Sequence, residues 1–204
     1  MRKVLLLVGD FTEDYEVMVP YQVLIMLGFL VDVVCPGKSK GEVIKTAIHD
    51  FEGDQTYTEK LGHNFTLTAS FSQIRLDEYC GIYLSGGRSS EYLRLESSVL
   101  HIVRYAINRR VPLAAICHGI QILTAANVVK NRTLTGYLAV KPEVEIAGGN
   151  WVDVADDESV VDHLLVTAPT WKAHPSILRN FIHLLGIRIM YLDTAAAVEQ
   201  ITKV

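Results

Sequence analysis

Short apolar runs alternate along this chain with segments whose apolar residues recur at helical spacing, and that alternation constrains the fold more than any other feature. An apolar run over residues 3–8 is closed by Gly9 and Asp10, and residues 14–28 follow with Tyr15, Met18, Val19, Val23, Met26 and Leu27 in helical register. The runs 29–35, 79–84, 111–116 and 164–168 read as further strands, and residues 91–108, 119–127 and 175–185 as helices. Strands that are apolar throughout need cover on both faces, and parallel neighbours need crossovers that helices supply. The order therefore predicts an α/β fold, a three-layer α/β/α sandwich around a mostly parallel central sheet. Residues 38–68 break the pattern: they are polar, carry Gly41, Gly53 and Gly62, and show no long helical period. They read as an inserted excursion within a single domain spanning 1–204, and loops of that length are often functional.

Composition narrows the function classes. Half of the 204 residues are apolar and 21% are charged, which suits a globular domain with a sizeable core. Nineteen Lys and Arg against 23 Asp and Glu give a net charge of −4, with no basic block to neutralise a run of phosphates, so nucleic acid is not an expected partner. No apolar stretch approaches the roughly 20 residues that cross a bilayer, so no membrane association is expected. Met1, Arg2 and Lys3 precede an apolar run too short for a signal core, which reads instead as a first strand. Cys35, Cys80 and Cys117 form neither a CxxC pair nor an even disulfide framework, and a reducing cytoplasm is the expected compartment.

Ala115-Ile116-Cys117-His118-Gly119 places a cysteine where a buried strand must turn into a helix, with glycine two residues on. That is the pattern of a nucleophile elbow, except that Ala115 stands where the pattern has its first glycine. A sulfur at such a turn lies near the N–H groups of the new helix, which favour thiolate over thiol. On this local pattern Cys117 is either a reactive nucleophile or a small buried hydrophobe. Cys35 and Cys80 lack such a setting and read as packing residues.

Ligands of open α/β sheets bind beyond the carboxyl ends of the strands, which singles out Glu16 after the first strand and Glu91 after Ser85-Gly86-Gly87-Arg88-Ser89-Ser90. A carboxyl near a thiolate would be pushed toward its protonated form and could donate a hydrogen bond to sulfur, or could orient a histidine. Glu13, Asp14, Glu16 and Glu91 also read as charges favoured at helix N-termini. Gly86 and Gly87 could offer bare N–H groups to an oxyanion beside the amide of His118, or simply form a tight turn. His118 pairs with Cys117 only if the backbone bends there. The other histidines show no metal-ligand spacing, so neither a metal nor a cofactor is expected.

These residues carry a resemblance. The segments 9–17, 85–94 and 115–119 occur in the order and approximate spacing of the ThiJ/PfpI superfamily, cysteine-dependent proteins with a flavodoxin-like sandwich, and the resemblance spans nearly the whole chain. Residues 49–67 further resemble the longer branch of that superfamily, which includes plant two-domain members with glyoxalase III activity. The resemblance implies that Cys117 is the nucleophile, Glu16 the carboxyl bonded to its sulfur, and Gly87 with His118 the backbone oxyanion donors. It also implies a homo-oligomer in which Glu91 joins Cys117 and His118 from a neighbouring subunit.

The expected activity is a cofactor-independent, glyoxalase III-like conversion of methylglyoxal or glyoxal to a hydroxy acid, with removal of glycation adducts as an apparent deglycase activity. A PfpI-type intracellular cysteine peptidase and a non-enzymatic redox sensor or chaperone are the alternatives. A class I glutaminase is disfavoured, because its downstream His-x-Glu would fall at His174-Pro175-Ser176, where serine replaces the acid.

Overall fold

The structure, a computed structural model, describes residues 2–190; the ends of the expected 1–204 domain lie outside the described residues. The chain opens with β1 (Lys3–Leu7), a two-residue β2 (Thr12–Glu13), α1 (Asp14–Met26) and β3 (Leu30–Val34). A hairpin follows, β4 (Val43–Asp50) and β5 (Thr58–Thr66). Next come β6 (Tyr79–Leu84), α2 (Ser89–Leu93), α3 (Ser97–Arg109), β7 (Leu113–Ile116) and α4 (Ile120–Ala125). The last part holds β8 (Thr133–Leu134), α5 (Lys141–Ile146), β9 (Asn150–Trp151), β10 (Val160–Asp162), β11 (Leu165–Ala168) and α6 (His174–Leu184).

The central sheet has six strands in the order β10-β11-β7-β6-β1-β3, all parallel except the edge strand β10. Counted along the chain, its parallel strands run in the order 2-1-3-4-5, the doubly wound arrangement of flavodoxin-like folds. Alternate residues feed opposite layers. Val4, Leu6, Ala114 and Ile116 pack with Val17 and Leu24 of α1 and Ile177 and Phe181 of α6. Leu5, Leu7, Leu113 and Ala115 pack with Val99, Ile102 and Val103 of α3 and Leu123 of α4. This two-faced burial is why the strands read as unbroken apolar runs.

One expected element differs. The segment 91–108 forms two helices rather than one, separated at Arg94–Glu96. Counting one helical turn on from buried Leu93 lands on Glu96 and Ser97, both polar, and the apolar face resumes only at Val99. The helical period slips there, and the backbone turns extended at Glu96.

The segment 38–68 is built mainly of the β4–β5 hairpin, whose strand β4 pairs in parallel with β2. Asp14, at the start of α1, pins it: its carboxylate accepts from the His63 N–H at 2.8 Å and from Thr46 Oγ1 at 2.5 Å. The hairpin is thereby fixed over the carboxyl end of the central sheet. No helix among the described residues is long and apolar enough to cross a membrane.

Candidate active site

Cys117 follows the last residue of β7 with φ +56°, in the left-handed region that side chains rarely adopt. A single turn of 3₁₀ helix then leads into α4. Such backbone strain is retained where the surroundings over-determine it. Gly119 makes the bend possible: a Cβ there would lie 2.9 Å from the Leu84 carbonyl, at the end of β6. A side chain at this position would therefore collide with the end of the neighbouring strand. Because the backbone bends at Cys117, His118 Nδ1 comes within 3.3 Å of Sγ.

Glu16 reaches the same point from α1. Pro20 lies inside that helix and lacks the N–H that would bond the Glu16 carbonyl. Ser85 Oγ donates to that carbonyl instead, at 2.7 Å, tying the first turn of α1 to the loop after β6. The fully buried Glu16 side chain then accepts from the Gly86 N–H through Oε2 at 2.7 Å. A Cβ on Gly86 would meet Glu16 Oε2 at 2.6 Å and Cys117 Cβ at 2.7 Å, so carboxyl and cysteine crowd one glycine from two sides.

The three segments singled out in the sequence meet here. Thr12 bridges to Gly87, its hydroxyl bonds Ser89 Oγ at 2.8 Å, and the Tyr92 hydroxyl donates to the Asp10 carbonyl. Gly87 has φ +76° and passes so close to Phe11 and Glu13 that any side chain would strike their backbone.

The electrostatics differ from the simple elbow expectation. Burial, then the charge of Glu16, push the Cys117 thiol up, while the N–H groups of Gly87 and His118 pull it down. The N–H groups at the turn into α4 do not outweigh burial. Glu16 is pushed well above the usual carboxylate range by burial and by the charge of Glu13, against the Gly86 N–H and the Cys117 thiol. Three acids share one dry space, so they cannot all ionise together. Protonating Glu16 removes its repulsion of the thiolate and supplies a donor, and its Oε1 has no other hydrogen-bond partner. His118 is held down to about 4 by burial, with nearby His49 adding to the effect.

Of the expected site residues, Cys117, Glu16, His118 and Gly87 converge. The Gly86 N–H is spent on Glu16, so of the glycine pair only Gly87 offers a donor to the sulfur. Glu91 is not part of the cluster in this chain; it lies exposed on α2 and bonds neither Cys117 nor His118. His174 and Ser176 lie apart from it too: His174 is buried with Nε2 unpartnered, and Ser176 bonds Ser159. Cys35 packs in the core, where burial raises its thiol to about 11, and Cys80 Sγ donates to the Lys3 carbonyl.

Sequence reasoning missed six of the nine residues that line the cavity. Cys117 and His118 share a space of only about 10 Å³ with Glu13, His49, Phe51, Tyr57, Tyr137, Thr170 and Trp171. Three of these come from the hairpin. Tyr137 lies over His118 with ring centroids 4.6 Å apart, and Tyr57 meets both rings edge-on. Glu13, expected as a helix-end charge, does cap α1 by accepting from the Glu16 N–H at 2.9 Å, but it also faces this cavity. The pairing of β2 with β4, which brings His49 beside Glu13, is a long-range contact with no local sequence signal.

The sequence pattern of the DJ-1/PfpI family matches residues 2–184. Protein DJ-1 homolog D of Arabidopsis thaliana is 47% identical over 191 residues, which are 93% of this chain and 49% of that protein. The chain thus spans about half the length of that relative. Deglycase PH1704 of Pyrococcus horikoshii is 32% identical over 183 residues, 90% of this chain and 99% of that protein. The crystal structure of Drosophila melanogaster DJ-1beta superposes with a TM-score of 0.73 at 23% identity, covering 91% of each chain, a likeness of fold.

Proposed function

The chain belongs to the DJ-1/PfpI family, and from that membership and the site's geometry we propose that it is a cofactor-independent, glyoxalase III-like enzyme acting on small 2-oxoaldehydes. The observation that carries the reading is the buried Glu16–Cys117 pair beside Gly86, with the N–H groups of Gly87 and His118 directed at the sulfur. A neutral carboxyl and two amides suit a sulfur that adds to a carbonyl and then carries an oxyanion beside it.

In this reading Cys117 adds to the aldehyde carbon of methylglyoxal. His118 Nδ1, 3.3 Å from the sulfur, relays the thiol proton toward the carbonyl oxygen without holding it. The oxygen that becomes negative accepts from Gly87 and His118, and protonation gives a hemithioacetal. A proton then moves from the former aldehyde carbon to its neighbour, giving a lactoyl thioester, and water releases lactate and the thiol. The first carbon is oxidised and the second reduced, so no external redox partner is required.

Archaeal relatives named deglycases support aldehyde chemistry of this kind, and removal of free aldehyde would deplete its early adducts with amines and thiols. Exposed Glu91 fits a role at a subunit boundary in a homo-oligomer. Three free cysteines fit a reducing cytoplasm.

The test is lactate formation from methylglyoxal by pure protein, with a chelator and without glutathione, beside Cys117→Ala and Glu16→Gln. Turnover in the wild type and its loss in both variants is the expected result. A wild type with reduced Cys117 and no turnover rejects the reading.

A further inference from the structure

The carbon-to-carbon proton transfer needs a base, and the residues already assigned are poorly suited to it. His118 is suppressed to about 4, Glu16 is committed to the Gly86 N–H, and Glu13, raised to about 8 by burial, holds its proton at neutral pH. One imidazole of the cavity wall remains. His49 sits near the end of β4, buried, and lines the same small cavity as Cys117 and His118.

His49 is held like an oriented catalytic histidine. Its Nε2 lies 3.0 Å from Glu59 Oε2, across the hairpin on β5. Glu59 is gripped through both oxygens by Arg88, at 2.7 Å from Nη2 to Oε1 and 3.1 Å from Nε to Oε2. Arg88 in turn stacks over the Phe11 ring, 4.0 Å from its centroid. The main chain is fixed as well, because the His49 carbonyl accepts from Trp171 Nε1 at 3.1 Å. Arg88 holds the Glu59 carboxyl below its usual range, so Glu59 is an acceptor only. Nε2 must then carry the proton, and Nδ1 is the nitrogen left to accept one.

We propose that His49 is the proton shuttle of this site, oriented by Glu59 and Arg88, so that the hairpin supplies a second catalytic histidine. The proposal rests on the aldehyde reading. His49 Nδ1 removes the proton from the sulfur-bearing carbon of the hemithioacetal. The electron pair forms a second bond between the two former carbonyl carbons, and the ketone's π pair moves onto its oxygen, giving an enediolate thioether. The hydroxyl beside sulfur passes its proton to that oxygen, and His49 returns its own proton to the carbon that was the ketone, leaving the thioester. Glu59 and Arg88 touch no reacting atom and are positioning residues.

The test measures methylglyoxal turnover and, separately, alkylation of Cys117 by iodoacetamide, for wild type, His49→Gln, His49→Ala and Glu59→Gln. His49→Gln should lower kcat by about 100-fold or more, within the range for loss of a general base, while Cys117 alkylates within about twofold of the wild-type rate. Added imidazole should restore part of the His49→Ala activity, which a packing role would not allow. Glu59→Gln should lower kcat about tenfold with KM unchanged. If the wild type turns over and His49→Gln keeps kcat within about threefold, the shuttle is overturned and the aldehyde reading stands. If the wild type itself forms no lactate, the aldehyde reading falls and the shuttle with it.

Discussion

His118 Nδ1 lies 3.3 Å from Cys117 Sγ although the two residues are adjacent in the chain, where side chains ordinarily diverge. The left-handed backbone at Cys117 closes that gap, and the close pass of Gly119 over the Leu84 carbonyl keeps the turn in place. The strain at Cys117 thus serves a geometric end: sulfur, imidazole and two amides share one point at the mouth of the sheet.

Gly86 should accept no side chain. A Cβ would press on Glu16 Oε2 and on Cys117 Cβ at 2.6–2.7 Å, with the Ile116 carbonyl at 2.8 Å behind. Gly86→Ala is expected to cost about 1–3 kcal/mol by overpacking and to displace Glu16 from the sulfur. Thermal denaturation together with a turnover assay checks both. An alanine variant with unchanged melting temperature and activity would show that the contact is soft.

Pro20 and Ser85 should be coupled. Ser85→Ala leaves the buried Glu16 carbonyl without its donor, at a cost of about 1–3 kcal/mol. Pro20→Ala in the same chain restores an N–H four residues on and should recover part of that loss. A double-mutant cycle in urea reads the coupling, and strictly additive effects would contradict it.

Stability should fall as pH rises from about 6.5 to 8. Glu13 ionises near 4.5 when unfolded but only at about 8 when folded, so between these values the folded state binds more protons and loses stability as pH rises. Below 6.5 the effect is opposed by His118 and His174, both held at about 4, which stay neutral in the fold while the unfolded histidines take up protons. The window above 6.5 is therefore the informative one. Glu13→Gln keeps a cap acceptor and should reduce the slope of urea midpoint against pH there, with buried Glu16 keeping its own share of it; an unchanged slope would place the proton elsewhere.

Phe51 and Tyr57 should set substrate size. The space at Cys117 holds one water at most, so a substrate enters only when these rings yield. Tyr57→Ala is expected to lower KM for phenylglyoxal more than for methylglyoxal. Equal changes for both substrates would show that the ring does not gate by size.

Much of the fold could be read from the chain because the strands are buried on both faces, and β6 has the bounds that its apolar run predicts. Cys117, Glu16 and Gly87 were legible because each follows a strand at the carboxyl end of the sheet, where ligands of such folds bind. The hairpin's contribution was not. His49, Tyr57 and Glu59 sit in a polar stretch that looks like any long loop, and their place beside Cys117 depends on Asp14 anchoring Thr46 and His63 from far along the chain. The thiol's surroundings were hidden for the same reason. Helix-end attraction is visible locally, whereas burial under Tyr57 and Tyr137, and the charge on Glu16, exist only once the layers are assembled.

Rapid quenching of the protein with methylglyoxal, followed by mass spectrometry of the Cys117 peptide, reads whether Cys117 forms a covalent bond to the aldehyde carbon. A transient adduct on Cys117 carrying the mass of one methylglyoxal is expected, absent from Cys117→Ala and decaying as lactate appears. Lactate formed at the same rate with no adduct on Cys117, or formed by the Cys117→Ala variant, would contradict it.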